Sequence, residues 1–248
     1  MATRGGWTRI LRLLIVAAVT VSLVTACGSP KPSTIDDPRV VLQKVTERLF
    51  TVRTAHLKVN LPEAGGLLGG PESAQAEGDF DTVAGELSVK GRSSEAAAAP
   101  VEIVIDGGML FMRTNGPWTN EPVAGLVAAL PPKEAVRVAL MGVAGDPRVA
   151  VRLDPTATCP TGDCYSLILE VPGTAGWDIV AGLLRPITEL PVVPPPDLPN
   201  TAIRVYADIE TFDVVQLELV MDDRGGRIRL IVEASNHDVP IRIDPPRD

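Results

Sequence analysis

The spacing of apolar residues predicts a helix at the start of the folded region. Asp36-Asp37-Pro38 offers a carboxylate as N-cap and a proline at the first helical position. The apolar positions that follow recur at helical intervals: Leu42, Val45, Leu49 and Val52. One face of a helix that runs to about Arg53 is therefore expected to be buried, with polar residues on the opposite face.

The period changes from helical to two at His56. Within residues 56–61, Leu57, Val59 and Leu61 alternate with polar side chains, which predicts a strand with one buried face. Further strands are predicted at 76–81, 86–92, 101–106 and 109–114, after a loop over 62–71. Asp106-Gly107-Gly108 is typical of a hairpin turn. This half of the chain is therefore predicted to form an antiparallel meander.

The second half mixes helices and strands. Two helices are predicted at 123–130 and 133–141, separated by Pro131-Pro132, and the second has an apolar face: Val136, Ala139, Leu140 and Val143. A third helix is predicted at 177–185 and an extended loop at the proline-rich segment 191–199. The predicted strands are 149–153, 165–171, 202–209, 214–221, 227–234 and a short one at 239–243.

The order of these elements predicts an α+β fold. About ten strands joined mostly by short turns favour one antiparallel sheet, and a sheet of that size has to curl. The concave face of a curled sheet must be covered, and the amphipathic helices can cover it. We therefore expect a single domain in which a half-barrel sheet carries helices on its concave face.

The amino-terminal segment has the layout of an export signal. Arg4, Arg9 and Arg12 precede an apolar run over 13–24 that is too short to span a membrane comfortably. Val24-Thr25-Ala26-Cys27 resembles the bacterial lipobox, which implies S-diacylglycerol and N-acyl groups, commonly palmitate, on Cys27. The expected domains are a signal peptide 1–26, a lipidated tether 27–35 and a folded domain 36–248. A plain signal peptide with an incidental Cys27, and an uncleaved anchor, are the alternatives.

Net charge narrows the choice of partner. The chain carries −8 at pH 7, and removal of residues 1–26 would take away three arginines and no acid. Such a protein offers no basic face for phosphate groups, so nucleic acid is excluded as a partner. Attachment to anionic lipid by charge is equally unfavourable. The expected partner is a membrane. After export, the lipid anchor is expected to hold the protein on the outer face of the cell membrane.

Candidate chemistry is sparse. Cys159 and Cys164 enclose four residues, including Pro160 and Gly162, so a disulfide at a hairpin tip is expected rather than a redox pair, which prefers two intervening residues. His56 and His237 lie apart from other metal ligands, so no zinc site is predicted. Neither a nucleophile elbow nor a phosphate-binding loop is present in the sequence. We expect no enzyme, cofactor or metal.

Several segments together resemble one lipoprotein family. They are the Cys27 lipobox, the passage from the first helix into the strand at 54–59, the hairpin at 106–112 followed by Trp118, and the run 205–219 with a turn at 210–213. This order resembles the LppX/LprA/LprF/LprG lipoproteins of mycobacteria and their relatives, whose fold is similar to that of LolA and LolB. The resemblance implies a half-barrel enclosing an apolar cavity for multi-acylated lipid or glycolipid. It also implies carriage between envelope layers, with an envelope transporter as a conceivable partner.

Apolar strand positions are the candidate cavity wall: Leu57, Val59, Ile103, Ile105, Val151, Leu167, Leu169, Val205, Leu217, Leu219, Leu230 and Val232. Periodicity alone favours a filled core at these positions, and the family resemblance favours a lined cavity. The alternative function is a non-enzymatic surface interaction or sensing lipoprotein with a filled core. The segment 159–164 and the proline-rich loop 191–199 depart from the family pattern, so the sequence leaves the lipid undefined.

Overall fold

A computed structural model describes residues 34–63, 73–93, 99–123, 133–184, 198–223 and 226–246. All described helices and strands belong to one compact unit, Ile35–Asp248. The predicted signal peptide, Cys27, nearly all of the predicted helix 123–130, and most of the predicted loops 62–71 and 191–199 lie outside the described residues.

Three helices are described: α1 (Pro38–Leu49), α2 (Lys133–Gly145) and α3 (Gly173–Leu184). The predicted cap of α1 is present, since the backbone N–H of Arg39 donates to Asp37 Oδ1 at 2.9 Å. α1 ends at Leu49, and the expected end at Arg53 is wrong, because Phe50 and Thr51 turn the chain toward β1. Val52 is buried as expected, but after the helix.

The buried stripe of α1 differs in part from the predicted one. Its buried residues are Val41, Leu42, Val45 and Thr46. Leu49 is 44% exposed, because the last turn is held by polar contacts of Arg48 rather than by apolar packing. In α2, Val143 is buried as predicted whereas Leu140 is 36% exposed.

Eleven strands form one open antiparallel sheet in the described part of the chain. The strands are β1 (Thr54–Glu63), β2 (Ala74–Asp81), β3 (Glu86–Ser93), β4 (Val101–Asp106), β5 (Met109–Thr114), β6 (Thr119–Pro122), β7 (Ala150–Leu153), β8 (Cys164–Val171), β9 (Thr201–Asp208), β10 (Val214–Asp223) and β11 (Gly226–Ser235). Their order is β6-β5-β4-β3-β2-β1-β11-β10-β9-β8-β7. Two sequential meanders are thus joined where β1 pairs with β11, which confirms the predicted α+β class with one large antiparallel sheet.

Local details of the sheet and helices depart from prediction. β6 has no predicted counterpart, since all four of its residues are exposed and show no alternation. The predicted strand 239–243 is wrong, because this segment has no regular structure and Pro240 has no N–H to donate to a ladder. α3 starts at Gly173 rather than Trp177, because Asn200 Oδ1, from the segment before β9, accepts the Gly173 N–H at 3.1 Å.

The packed core lies between α1 and the β7 to β10 half of the sheet. Val41 and Val45 of α1 are almost completely buried against Leu167 of β8 and Ala207 of β9. Arg39 fixes α1 to the end of α2: its guanidinium donates to Ala144 O at 2.6 Å and to Val149 O at 2.8 Å. These contacts hold the helices over one half of the sheet.

The predicted disulfide is present. Cys159 and Cys164 are bonded, with Cα atoms 5.8 Å apart, and the bond closes the loop between β7 and β8. Within that loop, the carboxylate of Asp154 accepts a hydrogen bond from the hydroxyl of Thr156 and a second from its backbone N–H, and these lower the pKa of Asp154. The disulfide therefore belongs to an ordered hairpin connection.

Candidate ligand groove on the inner sheet face

All twelve predicted cavity residues lie on one face of the sheet. The strand registers place Leu57 opposite Ala234, Val59 opposite Val232, and Leu217 opposite both Val232 and Val205. Continuing outward from these pairs, the same face carries Leu219, Leu230, Leu167, Leu169, Val151, Ile103 and Ile105. We call this the inner face, because the helices pack on it.

Part of the inner face belongs to the packed core. Leu167, Leu169 and Val205 are at most 5% exposed and contact the α1 cluster, and Val151 and Leu217 pack against its margin. These five predicted residues therefore contact other side chains of the domain. Over this half of the sheet, the filled-core alternative from the sequence describes the packing better than a lined cavity does.

The other half of the inner face carries a groove of about 420 Å³. Its wall is formed mainly by apolar or small residues of β1 to β4 and β11, with Ala99 just before β4: Val59, Leu61, Ala74, Ala76, Gly91, Ala99, Val101 and Leu230. Gln75 and Arg92 also border it, and the guanidinium of Arg92 donates to Gln75 Oε1 at 3.3 Å. A cavity of this size falls within the range of small-molecule sites, about 300–1,000 Å³.

Small side chains create this groove. Along β2, Ala74, Ala76 and Gly78 occupy three successive inner-face positions, and Ala76 lies opposite Gly91 of β3. Their neighbours on β1 and β4 are branched, so the small residues form the floor between taller walls. A smaller cavity of about 60 Å³ lies beside Leu57 and Leu87. This floor was not predicted from the sequence, although small residues at every second position of β2 were the available signal.

The remaining predicted residues are distributed along the same face. Val59 and Leu230 line the groove, and Leu57 and Val59 line the smaller cavity. Ile103, Ile105, Leu219 and Val232 are half-buried on the inner face and line neither cavity. The structure therefore brings two predicted residues to the groove itself and leaves four next to it along the sheet.

Neither histidine is placed in the groove. His56 is on the outer face, where its Nδ1 lies 2.8 Å from Asp79 Oδ1, and His237 Nε2 lies 3.1 Å from Val214 O. Among the described residues, no three His, Cys, Asp or Glu side chains come close enough to hold a metal ion. No helix in the described ranges combines the length and apolarity that a membrane span requires.

Comparison with solved structures identifies the fold. The lipoprotein LppX of Mycobacterium tuberculosis aligns with a TM-score of 0.51 at 15% identity, covering 83% of this chain and 97% of that chain. LprF of Mycobacterium bovis aligns with the same TM-score at 13% identity, covering 87% of this chain and 100% of that one. No protein-family model matches the chain. No curated protein matches it either. The chain therefore has the LppX and LprF fold, as the sequence resemblance predicted.

Proposed function

We propose that this protein is a membrane-anchored lipoprotein that binds multi-acylated lipid or glycolipid on its inner sheet face and carries it between envelope layers. One observation carries the proposal: the described helices pack on the β7 to β10 half of the inner face, while the β1 to β4 half holds an apolar groove of about 420 Å³. An apolar surface left beside a packed core is where a ligand can complete the burial.

The physical chemistry of acyl chains explains why a carrier is needed. Transfer of one methylene from water to an apolar site is favourable by about 0.8 kcal/mol, so a sixteen-carbon chain gains on the order of 13 kcal/mol. A lipid with several such chains does not cross an aqueous space unaided. The groove supplies apolar contacts without covalent chemistry, so the proposed role is not enzymatic. Release then requires contact with a membrane or with an envelope transporter.

The proposed location follows from Cys27. After export and cleavage, a diacylated and N-acylated cysteine would hold the domain on the outer face of the cell membrane. The remaining tether, residues 28–34, spans at most about 25 Å at roughly 3.5 Å per residue. The groove would therefore work close to the bilayer surface.

A second candidate function is a sensing or interaction lipoprotein with a filled interior. The observation that favours it is the packed half of the inner face, where Leu167 is 0% exposed and Val205 5% exposed. In that case the groove beside the core would contact a protein partner rather than acyl chains. The two functions predict different results when the protein is isolated gently from its own host: a carrier should contain bound acylated lipid, and a sensing protein should not.

Native mass spectrometry of the chain from its host tests the proposal. We expect co-purified acylated lipid, and we expect Ala76→Leu, which fills the floor of the groove, to reduce that lipid at least fivefold. The matched control is Ala202→Leu, an alanine at an exposed strand position of the outer face. Repeated isolation without any bound lipid would argue for the sensing function instead.

A further inference from the structure

A row of alternating charges crosses the outer face of the sheet. The registers place six residues directly opposite one another on β11, β1, β2, β3, β4 and β5: Glu233, Lys58, Glu77, Lys90, Glu102 and Arg113. Each acid thus has a cation on the neighbouring strand. Such cross-strand pairs normally contact each other, because their Cβ atoms lie about 4.5–5.5 Å apart.

Only one end of this row forms ion pairs. Glu102 binds Lys90 at 3.3 Å and also binds Arg113, whose guanidinium packs over the ring of Trp118. Hydrogen bonds from Arg113 and Lys90 lower the pKa of Glu102. Within the described part of the chain, the side chains of Lys58, Glu77 and Glu233 have no ion pair or hydrogen bond.

The unpaired charges line a second groove. Lys58, Glu77 and Glu233 surround a cavity of about 350 Å³ together with Asn60, Lys90 and Arg92. Asn60 likewise has no side-chain hydrogen bond within the described residues. Four of these groups therefore stand around the groove with hydrogen-bonding capacity unused: Lys58, Asn60, Glu77 and Glu233. The charged side chains of this outer groove point away from the apolar inner one, because alternate residues point to opposite faces. The two grooves share strand residues in their linings: Val59, Gln75, Ala76, Gly91 and Arg92.

The chemistry of the lining selects for a neutral ligand. Lys90 is held by Glu102, which it shares with Arg113. The other four charged groups balance: Lys58 and Arg92 against Glu77 and Glu233. Because attraction and repulsion then offset each other, neither an anion nor a cation gains a clear advantage from this lining. Hydroxyl groups both donate and accept, so they can satisfy ammonium, carboxylate and amide groups on adjacent strands.

From this arrangement we propose that the outer groove binds a neutral polyhydroxyl ligand, namely one or two sugar rings of a glycan. This proposal does not rest on the proposed lipid binding, since Lys58 and Glu77 lie on the face opposite the inner groove. The sugar could belong to a soluble glycan or to a glycolipid headgroup, since both present the same hydroxyl chemistry. The recognition residues are Lys58, Asn60, Glu77 and Glu233, whereas Arg92 is hydrogen-bonded to Gln75 and borders both grooves.

Isothermal titration of the full chain in a sugar-free detergent tests the site. The probes are maltose and cellobiose, with glucose 6-phosphate and glucosamine as charged probes and an alkyl maltoside below its micellar concentration. We expect a neutral disaccharide to bind more tightly than either charged probe. The double variant Lys58→Met/Glu77→Gln should raise the Kd of that disaccharide at least tenfold. Glu233→Gln, a milder change at an exposed position, should raise it in the same direction if the double variant does not fold.

The matched control is Arg152→Met/Glu170→Gln, which removes an exposed ion pair of 3.9 Å from β7 and β8 and should leave the Kd unchanged. Equal binding of maltose and the alkyl maltoside supports recognition of the sugar itself. The proposal is overturned if neither disaccharide binds. It is also overturned if only the alkyl maltoside binds and the double variant binds it as tightly as wild type does. Lipid content is measured on the same variants to distinguish a failure of sugar binding from a failure of lipid binding. We expect the lipid content to stay unchanged, since the substitutions lie on the face opposite the inner groove.

Discussion

At Gly78, the backbones of β2 and β3 approach too closely for a side chain. A Cβ atom built on Gly78 would lie 2.0 Å from the carbonyl oxygen of Ser88 and 2.8 Å from the Cα of Val89. Both neighbours are backbone atoms, so no side-chain rotation relieves the clash. The position faces Leu57 on the other neighbouring strand, beside the groove. The close approach thus depends on this one residue.

We predict that Gly78→Ala destabilises the domain by about 1–3 kcal/mol, the usual cost of overpacking, because two strands must separate locally. Gly91→Ala is the control, since a Cβ there meets its nearest atoms at 3.5 and 3.6 Å, which is ordinary contact. Urea unfolding followed by circular dichroism measures both. Equal midpoints for the two variants would show that the strand approach at Gly78 is adjustable.

At the scale of elements, a cluster of charged groups joins the end of α1 to the segment after β11. Arg48 Nε lies 2.7 Å from Asp213 Oδ1, and Arg48 Nη2 lies 2.6 Å from Asp238 Oδ2. The backbone N–H of Arg53 donates to Asp238 Oδ1 at 2.7 Å. This hydrogen bond, followed by that from Arg48, lowers the pKa of Asp238. The segment is therefore held by the Asp238 carboxylate together with two hydrogen bonds to Thr54 of β1.

The lowered pKa predicts a pH-dependent contribution of Asp238. A carboxyl group whose pKa falls on folding stabilises the native state fully above its unfolded value of about 3.9, and loses that effect as the pH drops through the lower folded value. Wild type should therefore exceed Asp238→Asn in urea midpoint at pH 6, and the difference should close below pH 4. Asparagine tolerates the positive φ of 57° at this position, so the variant removes charge without adding strain.

Asp244→Asn is the control for this titration, since Asp244 lies on the same segment, is 54% exposed and pairs with Arg242, two residues away. Its midpoint should follow that of wild type across the same pH range. A constant difference in urea midpoint between wild type and Asp238→Asn down to pH 2 would mean that the contacts of Asp238 stabilise the fold independently of its charge.

The elements that could be predicted are those whose residues carry a complete local signal. β4 and β5 have the predicted bounds, because alternation and the Gly107-Gly108 turn agree. β6 lacks that signal, since a strand at the sheet edge with every residue exposed has no buried face to mark it. The start of α3 also escaped prediction, because its cap comes from Asn200, 27 positions later in the chain.

At the scale of the whole molecule, the unpredicted feature is which half of the inner face the helices cover. Alternation places Leu167 and Val59 on the same face, yet the first is fully buried under α1 and the second lines the groove. That distinction depends on the pairing of β1 with β11 and on contacts of α1 with β7 and β8, all distant in sequence. The periodicity of apolar residues predicts which face of a strand is buried. What packs on that face depends on the tertiary fold.

We expect the proposed anchor to be separable from the fold, because the start of the folded domain has contacts of its own. The Ile35 N–H donates to the hydroxyl of Tyr165 at 2.9 Å, and Tyr165 stacks on Phe212 at 5.8 Å, with Lys44 Nζ 5.1 Å from the Phe212 ring. These contacts, all within Ile35–Asp248, hold the beginning of that unit. A change at Cys27 should therefore alter location and leave the packing of the domain unchanged.

We predict that Cys27→Ala leaves the precursor uncleaved by lipoprotein signal peptidase and unlabelled by a palmitate analogue, because the thiol that would receive diacylglycerol is gone. The control is Cys159→Ala/Cys164→Ala, which removes the disulfide and should leave cleavage and labelling intact. Metabolic labelling followed by gel electrophoresis measures both. Each buried methylene of the anchor contributes about 0.8 kcal/mol, so two or three acyl chains would outweigh the repulsion between an acidic domain and an anionic membrane. Normal labelling of Cys27→Ala would show that the acyl group is attached to another residue. The short tether after Cys27 would then not explain a position of the groove near the bilayer.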